Sequence, residues 1–233
     1  MKHLLLFLCI SASAFALTTS ILVPCHPDHF PLLHSLFICY REQTVPPDEI
    51  VVSLSEAPKV DREALAALEK SPWPFAVKIL KHKEKYTPGR NRNEACRAST
   101  GDIVICQDAD DLPHPQRVEI IRFLFESSNI DHLLHQWISS QEKFELYDIQ
   151  TVKSQITSFR TYDVIDIPGI HNGNNAFRRY VFDQVHWKPT TTIQEDVLFN
   201  RSAYVFFRHC QILKLPLLMY RPELSTFDLD GTK

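Results

Sequence analysis

Three aspartates stand within four positions of the 233-residue sequence: Asp108, Asp110 and Asp111 follow the apolar run 103–106. Carboxylates a few ångströms apart repel one another and raise one another's pKa. Such a cluster is therefore either well solvated or neutralised by a cation. Asp108 and Asp110 fall on one side of an extended segment, and Mg²⁺ and Mn²⁺ prefer oxygen ligands and often bridge to phosphate. We predict that these two residues hold a metal ion. A solvated acidic loop that caps the next helix is the structural alternative.

The segments before this cluster alternate between strand and helix patterns four times. Apolar runs predict strands at 21–23, 49–55, 75–82 and 102–107, and helical spacing predicts helices at 28–40, 59–70, 89–100 and 115–127. This alternation predicts parallel βαβ units and an α/β fold with a mostly parallel central sheet and helices on both faces. Ligands bind beyond the carboxyl ends of the strands in such sheets. The aspartates follow the fourth strand, so we expect them at a ligand-binding edge.

The second half of the sequence is less regular. Strands are predicted at 132–139, 162–167 and 211–221, a short helix at 178–185, and a loop followed by a helix at 190–209. Residues 140–160 are polar with weak alternation, which predicts a hairpin or a mobile loop. Pro216 lies inside the last strand and favours an edge position or a bulge there.

Composition excludes some classes of function. Net charge is −3 and charged residues make up 23% of the chain, so there is no basic footprint for nucleic acid. None of the six cysteines forms a CxxC pair, which argues against a zinc site and favours buried free thiols. The letters Asn200-Arg201-Ser202 form a glycosylation sequon, but they fall inside a predicted helix, so we interpret the sequon as a chance occurrence.

The first 16 residues have the layout of a secretory signal. Lys2 and His3 precede an apolar run at 4–10, and Ala14-Phe15-Ala16 offers a cleavage site. The run is too short to span a bilayer comfortably. We expect a location in the lumen of the secretory pathway or outside the cell, and association with a membrane if the leader stays uncleaved. A cytoplasmic protein that begins with a strand or a disordered tail is the alternative.

Several segments together resemble one enzyme family. The stretch PGRNRNEACRASTGDIVICQDADD, residues 88–111, resembles the signature of nucleotide-sugar glycosyltransferases with the GT-A fold, of the family 2 type, with its Arg-Asn pair and its DxD motif. The segments ILVPCHPDHFPLLHSLFICYREQTVPPDEIVVS and GNNAFRRYVFDQV are similar to the start and the acceptor-side segment of that family. The sequence Gln194-Glu195-Asp196 looks like its ED motif, and YRPELS resembles its C-terminal arginine segment.

The resemblance implies a single GT-A (Rossmann-like) domain over residues 18–233. Residues 18–127 would bind the nucleotide sugar and residues 128–233 the acceptor. The implied reaction moves a sugar from a nucleotide-diphosphate sugar, most simply a UDP-sugar, to an acceptor hydroxyl with inversion and with Mn²⁺ or Mg²⁺ as cofactor. The acceptor would be a glycan, a lipid or a protein.

The resemblance also assigns roles to residues. Asp196 would be the general base, with Glu195 as the weaker candidate, and a helix N-terminus would keep the base ionised. The donor site would comprise Pro24, Ser55, Glu56, Arg90, Asn91, Asp108 and Asp110. The acceptor side would comprise Asp111, Gly173, Asn174, Asn175 and Arg221. For Arg90 and Asn91 the structural alternative is a solvated arginine and a helix cap, and for the asparagines it is turn formation.

Some positions depart from the family pattern. Ser53, Ser55 and Glu56 replace the acidic segment that usually contacts the base, which leaves the nucleotide open. His171 and His209 could supply a further metal or phosphate contact, but a surface or packing role is favoured for each. Two other functions compete: a nucleotidyltransferase that makes sugar nucleotides, and an inactive binding module that kept the fold. The first usually opens with a glycine-rich phosphate loop, which VPCHPDHF lacks.

Overall fold

The computed structural model describes residues 16–158, 172–191 and 194–224. Within these residues the strands form one nine-stranded sheet. The strands are β1 (Thr19–Cys25), β2 (Glu49–Leu54), β3 (Ala76–Lys81), β4 (Ile103–Cys106), β5 (Leu112–Pro113), β6 (His132–Ser139), β7 (Ile156–Ser158), β8 (Asn175–Arg178) and β9 (Cys210–Tyr220). The α-helices are α1 (Leu33–Arg41), α2 (Arg62–Lys70), α3 (Pro88–Ala98), α4 (Arg117–Ser127), α5 (Ile149–Val152) and α6 (Glu195–Phe206).

The sheet is mixed but mostly parallel, as predicted. Its order is β3-β2-β1-β4-β8-β6-β9-β5, and β7 also pairs with β9. The first four strands in this order run parallel to one another. Strand β8 lies antiparallel between β4 and β6, and β9 is parallel to β6. Strands β1, β4, β6 and β9 therefore all end at the same edge, which we call the carboxyl edge, and begin at the opposite one, the amino edge.

Helices cover both faces of this sheet. Buried strand residues alternate between two hydrophobic cores, because successive side chains point to opposite faces. Ile21 and Val23 of β1 join the core that contains α1, α2 and α4. Leu22 joins the second core, which contains α3 and α6. The α/β fold with helices on both faces is confirmed.

The second half of the chain differs from the prediction in three places. Strand β8 is central, although its Asn-rich sequence favoured a loop. Residues 140–158 contain the short α5 and the edge strand β7 instead of a hairpin. Strand β9 lies between β6 and β5, and the pairing of β6 with β9 shifts register at Gln136, opposite Pro216. The bulge alternative for Pro216 is therefore confirmed. On the side of β9 away from β6, β7 pairs up to Leu213 and β5 pairs from Leu218, so Pro216 falls between these two ladders. The strand predicted at 162–167 lies outside the described residues.

Cysteines and the sequon agree with the sequence analysis. Cys25, Cys96, Cys106 and Cys210 are buried free thiols, and Cys39 is half-buried. Burial raises the pKa of Cys106. Asn200 is fully buried on α6, so a glycan cannot attach to it in the folded chain.

Between residues 16 and 224, apart from the two gaps, no helix is long and apolar enough to cross a membrane. Residues 1–15 of the leader lie outside the described residues.

Candidate active site

The aspartate cluster follows β4 at the carboxyl edge. The Gln107 amide shapes this turn, because its Nε2 donates to the carbonyls of Asp108 and Asp111 at 2.8 and 3.1 Å. The side chains of Asp108 and Asp110 are 22% and 13% exposed, whereas Asp111 is buried. The turn thus leaves two carboxylates partly exposed and turns the third inward.

The electrostatics of the cluster favour a cation. Burial, followed by repulsion from Asp108, raises the pKa of Asp110. Burial and the other two aspartates raise the pKa of Asp111 to about 8. Arg221 closes the cluster from β9's end: its backbone N–H donates to Asp111 Oδ1 at 3.0 Å and its Nε donates to the Asp110 carbonyl at 2.5 Å. Arg221, which was predicted for the acceptor side, therefore contacts the acidic turn directly.

Arg92 connects the acidic turn to helix α6. Its Nη2 lies 2.5 Å from Asp108 Oδ1 and its Nη1 lies 3.3 Å from Glu195 Oε1. The side chain is only 5% exposed. Burial alone would lower its pKa, but the two carboxylates raise it. One buried guanidinium thus brings the predicted DxD and ED segments together. Arg92 is not among the residues predicted from the sequence, because the family pattern points to the Arg90-Asn91 pair.

Arg90 points away from this contact. Its guanidinium stacks over the Tyr86 ring at 3.6 Å from the centroid and lies 3.9 Å from a Glu84 carboxylate oxygen. The side chain is 43% exposed. Helix α3 advances about 100° per residue, so two positions separate opposite faces. The cap of this helix is Thr87, whose Oγ1 accepts from the Arg90 N–H.

Asn91, on α3, points its side chain toward the ends of β2 and β3. Its Oδ1 accepts a hydrogen bond from Ser53 Oγ at 2.9 Å, and the same hydroxyl lies 2.9 Å from His82 Nε2. Burial lowers the pKa of His82, so its ring favours the neutral form. Thr87 caps the helix, so the capping alternative for Asn91 is wrong. Its side chain instead contacts Ser53, one of the residues that stand in place of the acidic segment of the family pattern.

Three further residues that were predicted for the donor site lie near the ends of β1 and β2. Pro24 pairs with Ser53 across the two strands. The N–H and hydroxyl of buried Ser55 both donate to the Cys25 carbonyl, at 3.1 and 3.4 Å. Glu56 has a left-handed backbone with φ of 47°, and its carboxylate lies 2.6 Å from Lys59 Nζ. Ser55 and Glu56 are therefore engaged within the protein at this edge.

The ED pair begins α6. The backbone turns sharply at Gln194, whose φ is 59°. Glu195 points to Arg92, and burial raises its pKa more than Arg92 lowers it. Asp196 is half-buried, and its Oδ1 accepts from the Val197 N–H at 2.7 Å. The two carboxylates therefore have different surroundings: Glu195 is held in an ion pair, and Asp196 sits at the helix N-terminus, where a negative charge is favoured.

The predicted acceptor-side residues are mostly interior. The Gly173 carbonyl accepts from the buried Arg117 guanidinium. Asn174 Nδ2 donates to the His135 carbonyl at 2.8 Å, and Asn175 Nδ2 donates to Asn200 Oδ1 at 3.1 Å. Both asparagine side chains are fully buried. These contacts favour a structural role over the predicted contact with acceptor hydroxyls.

Histidines differ in their distance from the acidic turn. His29, which is not among the residues predicted from the sequence, has its Nε2 3.8 Å from Asp110 Oδ2 and 3.1 Å from the Leu224 carbonyl oxygen. His209 precedes β9 at the amino edge, away from the cluster, which agrees with the surface or packing role favoured for it. His171 lies outside the described residues. Within the described part of the chain, no group of three or more His, Cys, Asp or Glu side chains has metal-binding geometry.

Comparison with solved structures supports the fold. TarS 1-349 of S. aureus in complex with UDP-GlcNAc matches with a TM-score of 0.72 at 16% identity, over 91% of this chain and 62% of that one. The complex of TarS 1-349 with UDP gives 0.70 at 16% identity, over 88% and 60%. The mannosyltransferase PcManGT from Pyrobaculum calidifontis, in complex with GDP-Man and Mn²⁺, gives 0.59 at 17% identity, over 87% and 56%. The chain thus spans about three fifths of these proteins' length.

Comparison with family models is more specific. A search of curated proteins gives no significant match. The model of glycosyl transferase family 2 matches residues 20–186, a range that includes β1 to β4, the acidic turn and Arg92. The chain therefore belongs to glycosyl transferase family 2.

Proposed function

We propose that this chain transfers a sugar from a nucleotide-diphosphate sugar to an acceptor hydroxyl with inversion. The observation that carries the proposal is the Arg92 bridge. It joins Asp108, at the end of the strand that faces a donor in this fold, to Glu195, beside the proposed base. Departure of the diphosphate and removal of the acceptor's proton need to occur in the same site. The buried Arg92 contact holds the acidic turn and the ED pair next to each other, as such a site requires.

The donor is proposed to lie across the ends of β1, β2 and β4. Asn91, Ser53 and His82 form the polar group at the end of β2, where a base or ribose would find both donors and acceptors. A UDP-sugar is the simplest candidate, since TarS is recorded in complex with UDP and with UDP-GlcNAc. A GDP-sugar is the alternative donor to test, since PcManGT is recorded in complex with GDP-Man.

A divalent cation fits the residues at the acidic turn. Asp108 and Asp110 offer oxygen ligands at the cleft, and the raised pKa of Asp110 indicates that its negative charge lacks full compensation. His29 Nε2 lies 3.8 Å from Asp110 Oδ2, close enough to contribute to binding of the cation. The remaining ligands would come from the donor's diphosphate, because the protein alone supplies too few. When bound, such a cation supplies positive charge to the leaving diphosphate. PcManGT is recorded with Mn²⁺.

Asp196 is proposed as the general base. Its carboxylate is half-buried on the first turn of α6, next to Glu195 but outside the Arg92 ion pair, so it is available to accept a proton from an acceptor hydroxyl. Glu195 is less suited, since its charge is shared with Arg92. A single base on the acceptor side, opposite the leaving diphosphate, leads to direct displacement and inversion at the anomeric carbon.

The acceptor is proposed to be a glycan, a lipid or a protein, and the leader supports a location in the secretory lumen or outside the cell. A secretory lumen supplied with imported nucleotide sugars would reconcile export with the need for a donor. Membership of glycosyl transferase family 2 supports this activity over the nucleotidyltransferase. The presence of both Asp110 and Asp196 weighs against the inactive binding module.

Thermal unfolding with UDP tests the donor site. We expect UDP to raise Tm by several degrees when Mn²⁺ is present and to have little effect with chelator, because a ligand bound only to the folded state stabilises it by mass action. Comparison with GDP under the same conditions tests which nucleobase the donor site prefers. The double variant Asp108→Asn/Asp110→Asn should lose the metal-dependent shift. Equal shifts with Mn²⁺ and chelator would contradict the metal, and slow hydrolysis of UDP-sugars would separate an enzyme from a binding module.

A further inference from the structure

The amino edge of the sheet, opposite the candidate site, carries exposed apolar side chains. Helix α6 runs from the site at Glu195 to Phe206 at this edge, and β9 begins shortly afterwards. Val205 is 74% exposed, Phe206 60% and Tyr180 46%. Large apolar side chains grouped on an otherwise polar surface mark a binding surface more often than scattered ones do. The end of α6 is therefore a candidate for an interaction surface.

This group of residues has positive neighbours. Arg201 and Arg208 are both exposed, and Arg201 precedes Val205 by one helical turn. The sequence contains no aspartate or glutamate from 197 to 222. One carboxylate from another element, Asp131, contacts this region; it is buried and accepts from the Tyr180 hydroxyl and the His209 N–H. We define the amino-edge surface as Tyr180, Arg201, Val205, Phe206 and Arg208. Apolar side chains flanked by arginines are the composition that binds the interface of an anionic bilayer.

The chain's N-terminal segment reaches the same edge. The Thr18 N–H donates to Asp102 Oδ2 at 2.9 Å, just before β4. Further along this edge, the N–H of Arg178, at the end of β8, donates to the Asp131 carbonyl at 2.9 Å. The His209 N–H donates to Asp131 Oδ2 at 3.1 Å. These contacts show that residue 18, which follows the apolar leader, and the turn after α6 both lie along the amino edge of the sheet.

We propose that the amino-edge surface contacts an anionic lipid bilayer, with Val205 and Phe206 inserted among the headgroups. The apolar run at residues 4–10 precedes the chain's entry at this edge, so an uncleaved leader and the surface would meet one bilayer together. The proposal does not depend on the proposed glycosyl transfer.

A second copy of the chain fits this surface less well. In a symmetric dimer the same patch would meet itself, and Arg201 and Arg208 would then approach their own copies. Like charges brought together at an interface are unfavourable. An anionic bilayer instead pairs with these arginines.

The orientation has a consequence for the acceptor. Asp108 lies six residues beyond Asp102 along β4 and its turn, which is roughly 20 Å at the rise of an extended strand. The candidate site would then face away from the bilayer. Acceptor hydroxyls would reach it from the aqueous side.

Tryptophan reporters in the full-length chain test this orientation. Phe206→Trp places a fluorophore on the surface, and Leu146→Trp is the matched control, because Leu146 is 73% exposed elsewhere. Both are mixed with vesicles of phosphatidylcholine and phosphatidylglycerol containing brominated lipid. We expect quenching above wild type for Phe206→Trp only. Val205→Ser/Phe206→Ser should weaken vesicle binding by roughly tenfold or more, and Leu146→Ser should not. Arg201→Gln/Arg208→Gln should weaken binding to anionic vesicles most.

Three results would overturn the proposal. Equal quenching of the two reporters would show nonspecific adhesion. Absence of quenching at residue 206 would show that the surface stays in water. A dimer that Val205→Ser/Phe206→Ser dissociates, without a change in vesicle binding, would assign the surface to a second copy of the chain. Unchanged melting curves of the variants serve as the check on folding.

Discussion

At the scale of single residues, the charge of Arg92 is shared between two segments that are far apart in sequence. Removing one partner of a buried ion pair leaves the other charge uncompensated, which costs more than the pair itself contributes. A planar guanidinium can hold two carboxylates at once, whereas an ammonium reaches one well. Arg92 therefore positions both Asp108 and Glu195.

We predict that Arg92→Lys lowers the free energy of unfolding by roughly 2–4 kcal/mol and also slows sugar transfer. Urea denaturation and initial rates measure the two effects. Arg90→Lys is the matched control on the same helix, and we expect it to change stability by less than about 0.5 kcal/mol, because Arg90 is half-exposed. Equal effects of the two substitutions would contradict the role given to Arg92.

The proposed roles of Asp196 and Asp110 differ in the step that each supports. We expect Asp196→Asn to keep the fold and the affinity for UDP with Mn²⁺ while transfer falls by roughly 10²-fold or more. Asp110→Asn should instead weaken metal-dependent UDP binding. Titration calorimetry and transfer assays on the same preparations separate these outcomes. If Asp196→Asn transfers sugar at the wild-type rate, Glu195 becomes the candidate base. If it loses UDP binding as Asp110→Asn does, the ED pair belongs to the donor site.

At the scale of elements, the close approach of β4 to β1 depends on Gly101. A Cβ at this position would lie 2.6 Å from Ser20 Oγ, 2.7 Å from the Ser20 nitrogen and 2.8 Å from the Thr19 carbonyl carbon. Two of these are backbone atoms of β1, so they move only if the strands separate. The strand that leads to the acidic turn would then shift.

We predict that Gly101→Ala lowers the free energy of unfolding by roughly 2–4 kcal/mol, the upper range for overpacking. Gly89→Ala provides a graded comparison. Its Cβ would lie 3.0 Å from the Lys188 carbonyl oxygen, and alanine is favoured in a helix, so we expect a smaller loss. Urea denaturation of both variants decides the matter. A larger loss for Gly89→Ala would show that the helix contact, and not the strand contact, is the tighter one.

The elements that the sequence predicted are those whose signals are local. Strands β1 to β4 and the intervening helices follow from apolar runs and helical spacing. Strand β8 was missed because Asn175 and its neighbours carry turn-forming amides, and only the central position between β4 and β6 gives them buried partners. Arg92 was missed for a different reason: a shift of two residues along a helix changes which face a side chain occupies. Its separation from buried Cys96 by one helical turn was the available signal.

At the scale of the whole molecule, the two edges of the sheet are proposed to have different functions. The carboxyl edge gathers Asp108, Arg92 and Glu195, and the amino edge carries the surface proposed to meet a bilayer. Between them, α6 connects the ED pair to Phe206. A buried polar contact holds this helix against the sheet, since Asn200 Oδ1 accepts from Asn175 Nδ2 on β8.

His132 of β6 belongs to the same polar group and makes stability depend on pH. Burial lowers its pKa from 6.5 to about 4, although hydrogen bonds to Asn200 and Asn175 and the nearby Asp131 act in the opposite direction. Above pH 6.5 the ring is neutral in both the folded and the unfolded chain, so it has no effect on the pH dependence. Between pH 6.5 and about 4, His132 is protonated in the unfolded chain but stays neutral in the folded chain. The free energy of unfolding therefore falls between pH 6.5 and about 4 and levels off below that range.

We predict that His132→Gln removes this part of the acid destabilisation, which amounts to roughly 3 kcal/mol across the window. The variant loses stability at neutral pH, because a buried side chain is altered, so the slope and not the absolute value is informative. Urea denaturation at a series of pH values measures it. His34→Gln, at an exposed histidine, controls for the loss of a histidine as such. Other groups that titrate in this range are common to all three proteins and cancel in the comparison. If the curves of wild type and His132→Gln run parallel down to pH 4, the ring takes up its proton without unfolding, and the contact between α6 and β8 tolerates a charge.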